Sequence, residues 1–368
     1  MTSPDEHGAH HLVWGEIGDA HFPVLIGPSQ IDRLGQLWDE RLEGAAALLI
    51  SDAAVAAYAG RARDVLVSRG IRVVDVVVPS GEGSKTLAEL ERICRIAAQN
   101  GIRRADAVVA VGGGVVGDLA GFVAASYQRG IRLVHLPTTL LAMVDSAVGG
   151  KTGVDLPEAK NYVGAIWQPE FVVMDTDSLA TLPARELSCG FAEVIKYGLL
   201  NSYEMFAHVE AWPAPLDPAA DGFVALIRDC VVHKLNVVGQ DERETGLRAS
   251  LNLGHTVGHG IEAAAGYGRY HHGEAISLGL LAALRVAHET IGAALEWRDR
   301  TLQILARHGL PTQLASDVST AAILEAMQRD KKASASSFNM VFVQEPGAVL
   351  LRQDPPRDVM IAAIEELR

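Results

Sequence analysis

AVVAVGGGVVGDLAGFVAAS (107–126) reads as an apolar run, a glycine turn and an apolar helix. Its opening five residues, AVVAV at 107–111, suit a strand buried on both faces. Gly112, Gly114 and Gly117 then satisfy G-x-G-x-x-G in the strand–turn–helix setting that gives the pattern its meaning. Glycines let the backbone come close to a pyrophosphate, and the helix N-terminus offers unbonded N–H groups. The acidic residue that normally follows ~20 positions later is missing, since that region reads LPTTLLA. The unit is therefore not an ordinary dinucleotide-binding one. The plain alternative is a tight turn in a glycine-rich α/β protein.

Similar apolar runs flank this one: PVLIG at 23–27, AALLIS at 46–51, VVDVVV at 73–78, LVHL at 133–136 and FVVM at 171–174. Helical patterns lie between them. The clearest is 86–99, where Thr86 and Glu89 predict a capping box ahead of the stripe Leu87, Leu90, Ile93, Cys94 and Ala97. Alternating elements of this kind predict a mostly parallel, Rossmann-like α/β sheet covered by helices. After Pro183 helices take over, at 186–200, 222–238, 248–265, 275–290, 296–308 and 320–330, with one late hairpin, FNMVFV–EPG–AVLLRQ. A boundary is expected at 181–184, giving an α/β domain over 1–182 and a mainly α-helical one over 183–368. Ligands often bind at domain interfaces, so the expected active site is the cleft between them.

Composition excludes several classes. At 368 residues, with 49% hydrophobic and 21% charged residues, the chain is an ordinary globular one of about two domains. Its net charge of −13 argues against nucleic acid as a partner. No apolar run approaches the ~18 residues of a membrane span. MTSPDEHGAHHL lacks the basic and apolar regions of a signal peptide. Three scattered cysteines, Cys94, Cys189 and Cys230, form no disulfide framework, so a reducing, cytoplasmic location is expected.

The densest chemistry lies in RASLNLGHTVGHGIEAAAGYGRYHHGE (248–274). Arg248, Asn252, His255, His259 and Glu262 are spaced by four, three, four and three, which stacks them on one face of a continuous helix. Glycines at 254, 258 and 260 weaken that helix, so stability does not explain the choice. A turn then delivers His271, His272, Gly273 and Glu274 to the next apolar helix. Imidazoles and carboxylates at this spacing suit a divalent metal. The spacing alone leaves open which three groups bind, and the bland reading is a solvated polar face.

Three further stretches stand out. SGEGSK (80–85) ends a strand, and its Glu82 and Lys85 suit ribose and phosphate. DSAVGGKTGVDLPEAKN (145–161) carries Asp145, Lys151, Lys160 and Asn161. Its GGKT resembles the end of a P-loop, but Asp145 stands where the first glycine must be, which rejects that reading. Glu193 and Lys196 sit one turn apart in AEVIKY, flanked by apolar residues that predict a buried helix, and buried charges need a reason.

Together these motifs resemble one family. GGGVVGDLAGFVAASYQRGIRLVHLPTTLLAMVDSAVGGKTGVD from Gly112, KN at 160–161, FAEVIKYG at 191–198, DERETGLRASLNLGHTVGHGIEA at 241–263, HGEA at 272–275 and DKK at 330–332 are similar, in order, to the 3-dehydroquinate synthases. The resemblance spans about 80–335. It implies an NAD-binding α/β domain, a helical metal-binding domain, and conversion of 3-deoxy-D-arabino-heptulosonate 7-phosphate to 3-dehydroquinate and phosphate in the shikimate pathway of aromatic amino-acid biosynthesis.

The resemblance also implies roles. Glu193, His255 and His272 become the ligands of zinc or cobalt, and His259 moves beside the substrate. NAD contacts fall to Asp52, to Ser80, Gly81, Glu82, Gly83, Ser84 and Lys85, and to Gly114, Val115, Val116, Gly117 and Asp118. Thr138, Thr139, Lys151, Lys160, Ser178, Leu179, Ala180 and Thr181 complete that set. Arg129, Asp145, Lys151, Asn161, Lys196, Lys234, Arg248, Asn252 and Lys332, or its neighbour Lys331, fall in the substrate pocket. These cations suit a substrate with a phosphate and a carboxylate. Ala54 departs from the family's polar cofactor contact, and ASASS after Lys332 lacks its usual glycine. The implied assembly is a homodimer. Cyclases acting on sedoheptulose 7-phosphate or glucose 6-phosphate share most of these motifs; Asn252 and DKK favour the dehydroquinate branch. A metal-dependent polyol dehydrogenase would not need so many cations, and a catalytically dead sugar-phosphate-binding regulator would have lost ligands.

Overall fold

A computed structural model describes residues 3–4, 10–266, 268–329 and 338–368. Its strands are β1 (Ser3–Pro4), β2 (His11–Ile17), β3 (Ala20–Gly27), β4 (Ala46–Asp52), β5 (Arg72–Val78), β6 (Ala107–Gly112), β7 (Arg132–Pro137), β8 (Lys151–Leu156), β9 (Ala159–Ile166), β10 (Phe171–Asp175), β11 (Met340–Glu345) and β12 (Ala348–Gln353). Its helices are α1 (Leu34–Arg41), α2 (Ala56–Ser68), α3 (Leu87–Gln99), α4 (Gly114–Ser126), α5 (Ala184–Asn201), α6 (Tyr203–Glu210), α7 (Phe223–Gln240), α8 (His255–Ala265), α9 (His272–Ile291), α10 (Leu295–Arg307), α11 (Thr320–Arg329) and α12 (Arg357–Glu365).

The eight-stranded sheet has the order β1-β2-β3-β10-β7-β6-β4-β5. The six strands from β3 to β5 in that order pair in parallel, and they are the six apolar runs of the sequence. Strand alternation divides their side chains between two cores. Ala47, Leu49, Val109 and Val111 face Leu34, Trp38, Ala62 and Leu66 of α1 and α2. Leu48, Ile50, Val108 and Ala110 face Ile93, Ala97, Val116 and Leu119 of α3 and α4. Burial on both faces explains why the inner strands are continuously apolar; β5, at the sheet edge, exposes Arg72, Asp75 and Val77. From β4 the chain moves outward to β5, and from β6 it moves the other way to β7 and β10. The crevice at the ends of β4 and β6 is thus a topological switch point, where open α/β sheets bind ligands.

The chain forms two compact units, Met1–Leu182 with Pro218–Glu242, and Pro183–Asp217 with Arg243–Arg368. The expected domain over 183–368 therefore gives up Pro218–Glu242. Helix α7 belongs to the first unit because it packs on β2, where a Cβ on Gly239 would lie 2.7 Å from the Glu16 carbonyl oxygen. The second unit is built on α5, buried along almost its whole length, with α9 against it and α8 packed between α9 and α11.

Three local expectations need correction. The helix expected over 248–265 is broken: Leu247–Asn252 forms a 3-10 turn, and α8 starts at His255 after Gly254 at φ 78°. Nor do the glycines merely weaken the helix. A Cβ on Gly258 would meet Ile276 Cδ1 at 2.8 Å, and one on Gly260 would meet Met327 at 2.8 Å. They are close-packing positions. At α3, Thr86 does cap Glu89 N–H at 3.1 Å, but the Glu89 carboxylate pairs with Arg92 rather than closing a box.

Candidate active site

In the first unit, the residues expected to meet a dinucleotide gather at the carboxyl ends of the parallel strands. Asp52 ends β4, Ser80–Lys85 follow β5, Gly114–Asp118 open α4 after β6, Thr138 and Thr139 follow β7, and Ser178–Thr181 follow β10. No side chain caps α4 at Gly113. The N–H groups of Gly114, Val115 and Val116 precede any intrahelical acceptor. A Cβ on Gly112 would meet Val116 at 2.8 Å, and one on Gly114 would meet Ser146 Oγ at 3.1 Å. Neither position has room for a side chain, and the free N–H groups at the start of α4 are what an anion would meet.

Lys85 is 3% exposed and sits among acids. Its Nζ lies 2.9 Å from Asp118 Oδ2, 3.3 Å from Glu82 and 3.9 Å from Asp155, and it also donates to Asn161 Oδ1. Burial opposes its charge, but Asp118 and Glu82 outweigh burial and hold the ammonium above its ordinary range. Asn161, at φ 52°, donates its N–H to Asp155 Oδ1 at 2.7 Å. The β8–β9 hairpin, which also carries Lys151 and Lys160, is thus tied to the 80–85 turn. Lys234 of α7 donates to the backbone and carboxylate oxygens of Asp145, each at 2.5 Å. Arg129 is not brought to this cluster: it is exposed at φ 65°, beyond the far end of α4, roughly 20 Å from the glycine turn at 1.5 Å per residue.

In the second unit, three helices converge. Glu193, fully buried on α5, has Oε1 3.6 Å from His255 Nε2 and 3.5 Å from His272 Nε2. Ligand atoms of the three residues all lie within 4.8 Å of one another. Both separations from Glu193 exceed a hydrogen bond. They are close to the edge of a tetrahedron with ~2.1 Å metal bonds, about 3.4 Å. The His255 Nδ1 lies 3.1 Å from the Leu253 carbonyl oxygen, which can only accept. That contact makes Nδ1 the protonated nitrogen and leaves the Nε2 lone pair for an ion. These residues fit a divalent cation.

Electrostatics agree. Burial, helped by Lys196, holds His255 well below the usual imidazole range, which favours the neutral ring that a metal ion requires. Burial also opposes charge on His272, yet Glu193 and Glu262 push it up to about 10. Two carboxylates on one imidazole demand a positive charge at this point, which a proton or a divalent ion supplies. Lys196, 1% exposed, pairs with Glu193 and so has the reason for burial that its sequence required. His259 packs edge-on to His255, ring centroids 5.3 Å apart. Arg248 is buried in the 3-10 turn, and Asn252 donates to Glu244 Oε1 at 2.6 Å.

The start of α9 is held firmly. Glu274 accepts the His271 N–H at 2.8 Å and grips Arg185 of α5 through both oxygens. Glu274 is an anchor here rather than a ligand. Sequence reading missed Glu244 and Asp155 as partners of expected site residues and named Asp118 for NAD, not for its pairing with Lys85; each pairing joins segments that no local pattern brings together. Lys331 and Lys332 lie outside the described residues.

Fold and site together define a two-unit protein with a nucleotide-type crevice and a His–His–Glu cluster fit for a metal ion, the class of the sugar-phosphate cyclases. The 2-epi-5-epi-valiolone synthase of Streptomyces hygroscopicus subsp. jinggangensis, solved with NAD+ and Zn2+, superposes with a TM-score of 0.87 at 25% identity, covering 95% of this chain and 98% of its own. A 2-deoxy-scyllo-inosose synthase, solved with carbaglucose-6-phosphate, NAD+ and Co2+, gives 0.86 at 25% identity, covering 97% and 100%. In sequence, the 3-dehydroquinate synthase of Nostoc punctiforme is 43% identical over 355 residues, 95% of this chain and 97% of that protein. The family descriptions "3-dehydroquinate synthase N-terminal" and "C-terminal" match residues 75–189 and 190–333. The chain belongs to the 3-dehydroquinate synthase family.

Proposed function

We propose that this chain converts 3-deoxy-D-arabino-heptulosonate 7-phosphate to 3-dehydroquinate and phosphate, using NAD and one divalent ion, zinc or cobalt. The observation that carries the reading is the convergence of Glu193, His255 and His272 beside the paired Lys196. When bound, NAD takes up and later returns a hydride, and the ion acidifies the substrate hydroxyls it holds. The glycine turn at 112–118, with the loops after β4, β5, β7 and β10, holds the dinucleotide. Glu193, His255 and His272 hold the ion. Lys151, Lys196, Lys234, Arg248 and a lysine at 331–332 bind the phosphate and carboxylate. Asp145, Asn161 and Asn252 orient hydroxyls, and His259 is placed to move a proton. A transient ketone acidifies the neighbouring C–H, so phosphate leaves by β-elimination. Once the hydride has been returned and that ketone is again a hydroxyl, the hemiketal C–O bond opens to an enolate and a new ketone, and an intramolecular aldol addition of one to the other closes the carbocycle. The free thiols Cys94, Cys189 and Cys230 support a reducing cytoplasm; a homodimer is part of the same proposal.

The test is phosphate release from the heptulosonate with substoichiometric NAD. Many turnovers per NAD, with phosphate and 3-dehydroquinate in equal amounts, are expected. Reduced nicotinamide accumulating in step with product would move the chain to the polyol dehydrogenases. Release from sedoheptulose 7-phosphate alone would keep the mechanism and change the substrate.

A further inference from the structure

Glu262 shares α8 with His255 and His259, yet none of the roles above uses it. It is only 5% exposed, and a carboxylate withdrawn from water needs a compensating partner. It lies two turns beyond His255 on the same face, so one rigid helix carries both a proposed ligand and this acid. The His272 ring, at the first position of α9, stands between two carboxylates. Its Nε2 is 3.5 Å from Glu193 Oε1, and its Nδ1 is 3.8 Å from Glu262 Oε1. The ring nitrogens point in different directions, so one ion can use only one of them. Nε2 faces Glu193, which also faces His255. Nδ1 faces Glu262.

We infer that Glu262 is the positioning residue for His272. It takes the Nδ1–H, fixes that tautomer and turns Nε2 toward the ion. This deepens the proposed function and rests on Glu193, His255 and His272 as ligands. His255 shows the same device with a neutral partner, the Leu253 carbonyl at 3.1 Å. An anionic partner makes imidazole the stronger donor. At 3.8 Å the pair is not yet a hydrogen bond, so the ring must settle by about half an ångström. The rival assignment makes Glu262 a ligand itself, of a second ion with His259 and His272, whose ligand atoms also lie within 4.8 Å of one another.

Zinc affinity and stoichiometry, measured on metal-free protein by competition with a chromophoric chelator, separate these. The unsubstituted chain should bind one ion at this centre. Glu262→Ala should still bind one, about 10–100-fold more weakly. Glu262→Gln, which keeps an acceptor for Nδ1–H, should recover most of that loss, with the metal-free proteins melting alike. Equal affinity in Glu262→Ala overturns the assignment. So does a fall from two ions to one, which makes Glu262 a ligand. A loss that tracks a lowered melting temperature, without rescue by Gln, makes it merely structural. No ion in the unsubstituted chain sinks the functional reading as well, whereas an ion held equally by Glu262→Ala sinks this one alone.

Discussion

Gly273→Ala should uncouple the metal centre without touching a ligand. A Cβ at Gly273 would stand 2.1 Å from the Cys189 carbonyl oxygen and 2.5 Å from its Cα. Both atoms are α5 backbone, which cannot step aside as a side chain would. Restoring an ordinary contact of 3.4 Å needs the helices to part by about 1.3 Å. Cys189 precedes Glu193 by one turn of α5, and Gly273 adjoins His272. The 3.5 Å Glu193–His272 separation would therefore widen well beyond the ~0.2 Å tolerance of a metal–ligand distance. Overpacking of this kind costs about 1–3 kcal/mol. Transmitted to binding alone, that is roughly a 5- to 150-fold weaker ion. Chelator competition on metal-free protein reads it directly. Gly60→Ala on α2 is the control: nothing lies within 4 Å of the new Cβ, so stability should hold or rise by up to ~1 kcal/mol. Gly273→Ala binding zinc as tightly as the unsubstituted chain would refute the geometry.

Three more outcomes follow from the same contacts. Glu193→Gln, His255→Ala and His272→Ala should each lose the ion in metal analysis, while His259→Ala should keep it and lose turnover; unchanged metal in the first three sinks the assignment. Lys85→Met strands Asp118 and its acidic neighbours without their buried cation, so denaturant unfolding of the first unit should show about 3–5 kcal/mol of destabilisation. His135, buried on β7, has its pKa lowered to about 4 by burial alone. The unfolded chain therefore binds a proton that the folded one refuses, and stability is lost as pH falls from about 6.5 toward 4, by roughly 3 kcal/mol at the limit. His135→Gln should flatten that part of the acid limb; an unchanged limb would mean His135 is not the group that titrates.

Most of the parallel strands were legible because burial on both faces leaves a short, continuous apolar run between turn residues, and β5, at the sheet edge with Val77 exposed, was legible from its valines. The other strands were not. β2, HLVWGEI, mixes polar and apolar residues because it joins the sheet antiparallel at its margin. β8 and β9 were not read as strands, and their glycines at 153 and 164 are a place where two backbones touch: a Cβ on Gly164 would fall 2.0 Å from the Thr152 carbonyl oxygen. The imidazoles and the Glu193–Lys196 pair were visible from spacing, since one helical turn places them together whatever packs around them. The break at Gly254 was not, because it is set by Leu280 of another helix, 3.0 Å from where a Cβ would stand. Glu262 was seen on its helix face and then left without a role, because its partner comes from a segment ten residues away.

The chain passes between its two units at 182–183, 217–218 and 242–243, and this makes gene exchange among relatives asymmetric. A single crossover at 182 would join one parent's sheet to another parent's α7, and with it a foreign Lys234 to the resident Asp145 and a foreign Gly239 to the resident Glu16 backbone. Chimaeras that also carry residues 218–242 from the sheet's own parent keep both contacts. Hybrids made at the obvious boundary alone should be insoluble far more often than those made with the additional pair of crossovers.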